Sequence, residues 1–256
     1  MIRVIVTGAA GRMGREVLSA VGAESDMEVV AAVDPLHAGE RVDDLTVMPD
    51  LAAAIAETKP DVLVDFTHPS VVALNISVAL EAGVHCVVGT TGLAPEVVDE
   101  LASAAPAGTC LFVAPNFAIG AVLMMRFAAE AARFMPHVEI IELHHDRKAD
   151  APSGTAMRTA QLIAEARTSV PAVPGRETEI APGARGALVD EVSVHSVRLP
   201  GLVAHQEVLF GGLGQTLSIR HDTIDRTSFM PGVVLAVREI GKHSGLVVGL
   251  EHFMGE

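Results

Sequence analysis

The sequence is poor in aromatic side chains: among its 256 residues there is no tryptophan, no tyrosine and only eight phenylalanines. Proteins that bind single-stranded nucleic acid stack the bases on such side chains. Positive charge is also scarce, since 18 lysines and arginines face 32 aspartates and glutamates and give a formal net charge of −14. Such a surface repels phosphate backbones and acidic lipids. We therefore expect neither nucleic acid nor a membrane as a partner.

Cysteine and long apolar runs are scarce as well. Cys86 and Cys110 each lie in a short apolar run that is typical of a buried strand, so we expect two buried, unpaired thiols. No apolar run approaches the roughly 18 residues that a membrane span requires. The first residues, MIRVIVTGAAG, lack the cationic start and long apolar core of a signal peptide. These absences predict a cytoplasmic protein.

The apolar residues that are present follow a clear order in the first half of the chain. Up to about residue 115, short apolar runs alternate with alanine-rich amphipathic stretches, such as 11–21 and 70–82, in which apolar residues recur three and four apart. This alternation predicts a Rossmann-like α/β fold, a doubly wound parallel sheet with helices on both faces. The predicted strands are IRVIVT, MEVVAAVD, DVLVDF, VHCVVG and TCLFVAP.

From about residue 138 the pattern changes to longer alternating strands, namely VEIIELHH, VDEVSVHSVRL, LVAHQEVLF and QTLSIRHD, with GGLG as a hairpin turn between the last two. A helix is predicted from Ser153, a loop over 171–186, and a helix again in the tail, which we expect to return to the first domain. The sequence thus predicts a second α+β domain with an open mixed, largely antiparallel sheet. The predicted domains are a dinucleotide-binding domain of residues 1–117 and 229–256 and a substrate-binding domain of residues 118–228.

A glycine-rich turn follows the first predicted strand. The run GAAGRMG places Gly8, Gly11 and Gly14 where strand turns into helix, so that backbone N–H groups and the positive helix end can hold a pyrophosphate. Its spacing is GxxGxxG rather than the commoner GxGxxG, with Ala10 in place of the second glycine. Asp34 closes the second strand, where a carboxylate binds the ribose hydroxyls. The alternative is a glycine-rich turn without a ligand.

Asp34 also bears on the choice of cofactor. Its charge repels a 2′-phosphate, and Pro35 beside it supplies no cation to offset that repulsion. Arg12 is the only nearby cation that the sequence offers. We therefore expect NADH to be preferred, with NADPH possible.

Two later loops follow predicted strands at the edge where open α/β sheets bind ligands. They are GTTG at 89–92 and APNF at 114–117, and Phe66 with Thr67 follows a third strand. Each could be a plain connection. Together the first two are predicted to line the nicotinamide end of a nucleotide site.

The densest cluster of titratable side chains lies in VEIIELHHDRKADAPSGTA. A predicted strand ends in His144 and His145, and Lys148 follows in a turn-prone stretch. A histidine changes protonation near neutral pH and a lysine adds a cation, so the set can orient an acidic substrate and deliver a proton. Each histidine by itself could instead be a structural residue.

The end of the same segment predicts an anion site. Ser153 is suited to cap a helix that begins with Gly154 and Thr155, and the first N–H groups of a helix attract a carboxylate. A metal site is the alternative, because adjacent histidines are followed by Asp146 and Asp150. The spacing does not match the helical pair of histidines that zinc sites favour, and a lysine would repel a cation. We therefore predict no metal.

These motifs together resemble one family. GAAGRMG, GTTG, APNF, the run ELHHDRKADAPSGTA and the C-terminal GLVAHQEVLFGGLGQTLSIRHDTIDRTSF are similar to the 4-hydroxy-tetrahydrodipicolinate reductases, long called dihydrodipicolinate reductases, over essentially the full chain. The resemblance implies NAD(P)H-dependent reduction of a small cyclic dicarboxylate, formed from aspartate semialdehyde and pyruvate, to tetrahydrodipicolinate on the diaminopimelate route to lysine. It also implies a homotetramer assembled through the sheets of the second domain. Some members have an arginine directly after the acidic residue and use both cofactors, whereas this chain has Pro35.

The resemblance also implies roles for individual residues. His144 is implied as proton donor or acceptor, Lys148 as proton donor, and His145, Gly154 and Thr155 as substrate contacts. The implied cofactor contacts are Gly8, Ala9, Ala10, Gly11, Arg12, Met13, Asp34, Gly89, Thr90, Thr91, Ala114, Pro115, Asn116 and Phe117. Closure of the two domains is expected to exclude water from the reaction.

Two other functions fit parts of the sequence. Another two-domain dehydrogenase, acting on an amino acid or a semialdehyde, would share the nucleotide domain but has no reason to carry HHDRK before PSGT. A non-catalytic NAD(H)-sensing protein would keep GAAGRMG and would need no cluster of acid and base groups.

Overall fold

This computed structural model describes residues 1–169 and 178–255. The chain divides into two compact units, of which unit 1 comprises Met1–Ala118 with Arg226–Glu256, and unit 2 comprises Ile119–Asp225. Part of the predicted loop at 171–186 lies outside the described residues, and its remainder, 178–186, forms turns. Within the described ranges no helix is both long and apolar enough to cross a membrane.

Unit 1 is built on a six-stranded sheet in which all neighbouring strands are parallel. Its strands are β1 (Ile2–Thr7), β2 (Met27–Val33), β5 (Val62–Asp65), β6 (His85–Val88), β7 (Cys110–Val113) and β13 (Gly245–Val248), and a small hairpin of β3 (Arg41–Val42) and β4 (Leu45–Thr46) follows β2. Their order across the sheet is β13, β7, β6, β5, β1, β2. The carboxyl ends of these strands therefore lie along one edge, where open α/β sheets bind their ligands.

Helices of unit 1 cover the sheet. They are α1 (Arg12–Gly22), α2 (Leu51–Thr58), α3 (Pro69–Glu81), α4 (Pro95–Ala104) and α7 (Met230–Glu239). The central strands are continuous apolar runs, with Val4, Ile5 and Val6 of β1 fully buried, because a parallel sheet between two helical layers has no solvent-facing side. The Rossmann-like fold that the sequence predicted is confirmed.

The C-terminal tail returns to unit 1, but it was only partly predicted. The expected helix is α7, whereas the strand β13 that follows it was missed. β13 pairs in parallel with β7 at the edge of the sheet. It has only four residues, and a short apolar run cannot be assigned to strand or helix by its periodicity.

Unit 2 contains a five-stranded sheet and two helices. Its strands are β8 (His137–His144), β9 (Ala187–Val189), β10 (Val192–Arg198), β11 (Ala204–Gly212) and β12 (Gln215–Thr223), and its helices are α5 (Ile119–Ala132) and α6 (Gly154–Ala166). The order is β12, β11, β8, β10, β9, in which only β8 and β10 are parallel. The predicted mixed, largely antiparallel sheet is confirmed.

Two turns in unit 2 test the strand predictions in detail. The predicted hairpin forms, with Gly212 opposite Gln215 and the connecting Gly214 at a φ of 71°, where a glycine avoids strain. The run VDEVSVHSVRL was expected to be one strand, and that prediction was wrong. It is divided into β9 and β10 by a tight turn in which Asp190 and Glu191 have φ angles of 46° and 63°.

One face of this sheet lies under α6. Gln206 of β11 donates a hydrogen bond of 2.8 Å to the hydroxyl of Thr159 on α6, and Gln206 lies directly opposite Glu142 of β8. Residues two apart on a strand share a face, so Glu142 and His144 both lie on the side that α6 covers. This side holds the polar residues of the candidate site.

Candidate active site

His144 is the last residue of β8, and its ring is held by a carboxylate from the same strand. Its Nδ1 lies 2.5 Å from Oε2 of Glu142, two residues earlier on the same face. The side chain of His144 is 14% exposed whereas that of Glu142 is fully buried. One ring nitrogen is thus occupied by a buried group.

Glu142 is ionised in spite of its burial. Arg198 of β10 donates one guanidinium nitrogen to each of its oxygens, both at 2.8 Å, and the backbone N–H of Ser153 donates at 3.2 Å. Burial would raise the pKa of Glu142, but hydrogen bonds from His144, Arg198 and Ser196 outweigh it and lower the pKa to about 2. The carboxylate is therefore charged at any pH at which the protein works.

The turn after β8 is tied to the same arginine. Arg198 donates to the backbone carbonyl of Asp150 at 2.6 Å, and the ammonium of Lys148 lies 2.8 Å from both carboxylate oxygens of Asp150. The hydrogen bond from Lys148 lowers the pKa of Asp150. The two residues predicted to handle protons, His144 and Lys148, thus each have their own carboxylate partner.

The start of α6 has the form that the sequence predicted for an anion site. Ser153 is the cap residue, and its hydroxyl accepts a hydrogen bond from the N–H of Ala156 at 3.2 Å. Gly154 is exposed, Thr155 is half-buried, and the first N–H groups of a helix have no acceptor within the helix. Because Glu142 also accepts from Ser153, one carboxylate joins the helix start to His144.

His145 lies just beyond the end of β8, so it is not bound by the alternation that would turn it away from His144. Its Nδ1 is buried and has no hydrogen-bond partner among residues 1–169 and 178–255. A buried polar atom without a partner is costly. A ligand that accepts or donates at this nitrogen would remove that cost.

The glycine-rich turn of unit 1 is closely packed at two of its positions. Gly8 has a φ of 70°, and a Cβ there would lie 2.3 Å from the carbonyl oxygen of Phe66. A Cβ at Gly14 would lie 2.1 Å from the carbonyl oxygen of Gly8, so α1 approaches β1 as only glycine permits. Gly11 is the cap residue of α1, and the turn leads into the positive end of that helix.

The other predicted cofactor contacts in this turn differ in their hydrogen bonds and in their exposure. The N–H of Ala9 donates to the carbonyl of Val33 at 3.3 Å, and Ala9 is fully buried. The N–H of Gly11 donates to the carbonyl of Gly8 at 3.0 Å. The N–H of Ala9 thus ties the turn to β2, and that of Gly11 closes the turn itself. Ala10, Arg12 and Met13 are half-buried or exposed at the helix start.

Asp34 lies at the end of β2, as predicted, but it also contacts residues that the sequence did not suggest as partners. Its carboxylate accepts from the N–H of Leu36 at 3.1 Å and caps the short helix Pro35–His37. Nδ1 of His37 lies 3.1 Å from the same oxygen. The motif analysis missed His37, whose ring lies beside this carboxylate although its Nδ1 makes no hydrogen bond within the described residues.

The loops after β6 and β7 lie together in unit 1. Thr91, Ala114 and Pro115 border a pocket of about 270 Å³, which Leu246 and Val248 of β13 also line. Asn116 accepts a hydrogen bond from the N–H of Ala118 at 2.9 Å. Two loops predicted from separate motifs therefore border one pocket.

Three predicted residues of these loops pack closely against Asp65 or Phe66 at the end of β5. Thr90 donates to Asp65 at 2.6 Å and accepts from the N–H of Thr67 at 2.7 Å. Phe117 is buried against Phe66, with ring centres 5.6 Å apart. A Cβ at Gly89 would lie 2.1 Å from the ring of Phe66. The side chains of Thr90 and Phe117 shape the loops from within.

Asp65 organises this edge of the sheet and was also missed from the sequence. It is fully buried at the end of β5. Its carboxyl group accepts hydrogen bonds from side chains in four separate segments, namely those of Thr7, Thr67, Asn75 and Thr90. It ties the carboxyl ends of β1, β5 and β6 to one point.

Comparison with known proteins gives a consistent result over the whole chain. A family profile described as the N-terminus of dihydrodipicolinate reductase matches residues 2–117, and one for its C-terminus matches residues 120–254. A 4-hydroxy-tetrahydrodipicolinate reductase from Nocardia farcinica is 56% identical over 99% of this chain and 98% of its own. One from Desulfitobacterium hafniense is 50% identical over the same shares.

Solved structures agree. A dipicolinate-bound dihydrodipicolinate reductase from Paenisporosarcina sp. TG-14 has a TM-score of 0.88 and 44% identity, covering 98% of this chain and 99% of that one. An amine dehydrogenase from Mycobacterium smegmatis, at 16% identity, has a TM-score of 0.65 over 96% of this chain and 94% of its own. The second likeness concerns the fold alone.

The low pKa of Glu142 predicts an acid-dependent contribution to stability. The pKa of this carboxyl is about 2 in the folded chain against an ordinary value of 4.5. Folding therefore stabilises the ionised form above pH 4.5, and this contribution to stability is lost as the pH falls from 4.5 towards 2. The free energy of unfolding of the wild type should exceed that of Glu142→Gln by an amount that is constant above about pH 6 and narrows by on the order of 2 kcal/mol towards pH 2. Urea unfolding at a series of pH values measures it, and a gap that does not change on acidification would contradict the assignment.

Proposed function

This chain belongs to the dihydrodipicolinate reductase family and catalyses the NAD(P)H-dependent reduction of 4-hydroxy-tetrahydrodipicolinate, and we propose that residues 144–155 of unit 2 bind this substrate and transfer the proton. Tetrahydrodipicolinate and water are the products, on the diaminopimelate route to lysine. The observation that carries the site assignment is that Glu142 accepts from both His144 and the first turn of α6. A proton donor and an anion-binding helix start are thereby held side by side.

The substrate carries two carboxylates, and unit 2 offers groups of matching charge. The helix start at Gly154 and Thr155 holds one carboxylate through its N–H groups. Lys148 and the otherwise unpartnered Nδ1 of His145 hold the ring and its second carboxylate. Dipicolinate, which the Paenisporosarcina protein binds, is a planar ring with two carboxylates. We propose that it binds to this chain at the substrate site just described.

The proton is transferred by His144 or Lys148. A nicotinamide nucleotide bound to unit 1 would supply a hydride to the conjugated imine of the dehydrated ring, and the enamine so formed would have to take up one proton at carbon. The ring of His144, with Nδ1 engaged by Glu142, has Nε2 for this transfer. The ammonium of Lys148 is the other candidate, with Asp150 as its counter-ion.

Unit 1 is the nucleotide-binding unit in this proposal. The turn from Gly8 to Met13 holds the pyrophosphate, Asp34 the adenosine ribose, and the loops Gly89–Thr91 and Ala114–Phe117 the nicotinamide end. The fit rests on the crowding at Gly8 and Gly14, where any Cβ would displace backbone atoms of the turn. NADH is the preferred cofactor because of the charge of Asp34, and NADPH is tolerated.

We further propose that the protein is a cytoplasmic homotetramer. Its cysteines are both buried and unpaired, as suits a reducing compartment. The face of the unit 2 sheet opposite α6 carries Ile141, Leu143 and Leu209, all only half-buried. Packing of these side chains against other copies of the chain would remove them from water.

His144→Gln tests the proton assignment. We expect kcat to fall by about 100-fold or more, because a positioned acid or base contributes that much, with little change in the Kd for NADH. NADH oxidation is followed by its absorbance while a coupled synthase generates the substrate from aspartate semialdehyde and pyruvate. His195→Gln is the matched control, since His195 also pairs with a glutamate, and it should leave kcat unchanged. Equal losses of kcat and NADH affinity in His144→Gln would refute the assignment.

Lys148→Ala tests the hold on the substrate. Loss of the cation should raise both the substrate KM and the inhibition constant of dipicolinate by about tenfold, since a charge-assisted hydrogen bond to a carboxylate contributes about 1.5–3 kcal/mol. Lys242→Ala is the control, because Lys242 binds both oxygens of Glu239 at the same 2.8 Å on the surface of unit 1. An enzyme whose KM and inhibition constant are indifferent to Lys148→Ala would exclude this role.

Asp34→Asn tests the cofactor choice. Asparagine can keep the cap of the helix Pro35–His37 but removes the charge that repels a 2′-phosphate, so the kcat/KM for NADPH relative to that for NADH should rise by about tenfold. Asp50→Asn is the control, because Asp50 caps α2 of the same unit in the same way. Initial rates with both nucleotides measure the ratio. If the ratio is the same in Asp34→Asn as in the wild type, Asp34 does not determine the preference.

A further inference from the structure

We infer that Glu142 is a positioning residue for the proton transfer, which fixes the ring of His144 with its proton on Nδ1 and its Nε2 towards the substrate. The inference rests on the role of His144 proposed above. Neither the family resemblance nor the sequence motifs assigned a role to Glu142, and its contact gives the ring of His144 a defined protonation state.

The direction of the hydrogen bond follows from the ionisation of Glu142. An ionised carboxylate can only accept, and Glu142 is fully buried with its oxygens 2.8 Å from two guanidinium nitrogens. At the 2.5 Å contact, Nδ1 of His144 must therefore be the donor. A neutral ring then has its lone pair on Nε2, and a protonated ring has an N–H there. In either state Nε2 is the atom that exchanges the proton.

The charge of Glu142 is balanced where it lies. Arg198 contacts both of its oxygens in the bidentate geometry that guanidinium and carboxylate favour. The pair is neutral as a whole, so its effect on His144 comes mainly from the orientation of the hydrogen bond and less from net charge. Glu142 thus acts as an orienting group of the kind that holds a catalytic histidine in one tautomer.

The same carboxylate also fixes the substrate-binding side. Its Oε1 accepts from the N–H of Ser153, the cap residue of α6, and its partner Arg198 holds the carbonyl of Asp150 in the preceding turn. The ring of His144 and the helix start are therefore positioned from a single buried group. A displacement of about 1 Å between such groups can cost 100-fold in rate.

A second glutamate–histidine pair in the same sheet lacks these features. Oε2 of Glu139 lies 2.8 Å from Nε2 of His195, but the side chain of Glu139 is 38% exposed. Its position, three residues before Glu142 on β8, places it on the opposite face of the sheet. Glu139→Gln is therefore a matched control for the loss of a glutamate–histidine contact on this strand.

The test is a double-mutant cycle with Glu142→Gln, His144→Gln and the double variant. The amide of glutamine can donate to Nδ1 and so favours the other tautomer. We expect Glu142→Gln to lower kcat by about 10- to 100-fold, part of what a positioned acid or base supplies, with the Kd for NADH within about twofold. In the His144→Gln background the same change should lower kcat by less than about twofold, because residues that act as a unit are not additive.

Four results would each overturn the inference that Glu142 positions His144. A loss in the His144→Gln background as large as in the wild type would show that Glu142 acts independently of His144 and would overturn the inference alone. Wild-type kcat in His144→Gln would remove the proposed function of His144 and the inference with it. Wild-type kcat in Glu142→Gln, with His144→Gln impaired, would overturn the inference and leave the proposed function standing. The same results with Glu139→Gln as with Glu142→Gln would also overturn it.

A second variant covers a failure of Glu142→Gln to fold, since that change leaves the partly buried Arg198 without its counter-charge. Glu142→Asp keeps the negative charge but sets the carboxylate back by one methylene from Nδ1 of His144. We expect a loss of kcat of about tenfold, again absent in the His144→Gln background. Bound NADH reports that unit 1 is intact in each variant.

Discussion

The ion pair of Glu142 and Arg198 is the interaction on which the candidate site depends. Removing two charges from water is costly, and good geometry with further hydrogen bonds offsets the cost. Here both oxygens of Glu142 contact the guanidinium, and the pair makes further hydrogen bonds with His144, Ser153 and the carbonyl of Asp150. Nε of Arg198 has no hydrogen-bond partner among the described residues. The pair therefore positions His144, the turn and the helix start together, and we expect a change to either partner to alter all three.

Each unit has a buried carboxyl group that organises its loops, but the two groups have different partners. In each, a buried carboxyl group near the carboxyl end of a strand holds the loops in which the candidate contacts lie. In unit 1 it is Asp65, whose partners are neutral hydroxyl and amide groups, and in unit 2 it is Glu142, whose side-chain partners include the guanidinium of Arg198 and the ring of His144. The difference suits the chemistry assigned to each unit. In the proposed function, unit 1 binds a nucleotide and exchanges no proton, whereas unit 2 binds the two carboxylates of the substrate and delivers a proton.

Much of this could be predicted from the sequence, and the parts that could not have physical reasons. The alternation of apolar runs gave the parallel sheet because both of its faces are buried, but it could not identify the four-residue β13 or the turn that divides β9 from β10. Titratable side chains close in sequence marked the segment from His144 to Thr155. Arg198 was missed because it is 56 residues from Glu142 and meets it only through the parallel pairing of β10 with β8, which no local pattern records. Glu142 itself resembled any polar residue of an alternating strand.

The most direct test of the account is the protonation of the His144 ring, read by nitrogen NMR of protein labelled with ¹⁵N-histidine, with the His144 signals assigned from the spectrum of His144→Gln. A buried, ionised Glu142 predicts that Nδ1 carries a proton throughout the range in which the protein is folded, and that only Nε2 gains or loses one as the pH changes. A neutral ring with its proton on Nε2 and a bare Nδ1 would contradict the account, because Nδ1 would then have no proton to donate to the carboxylate of Glu142.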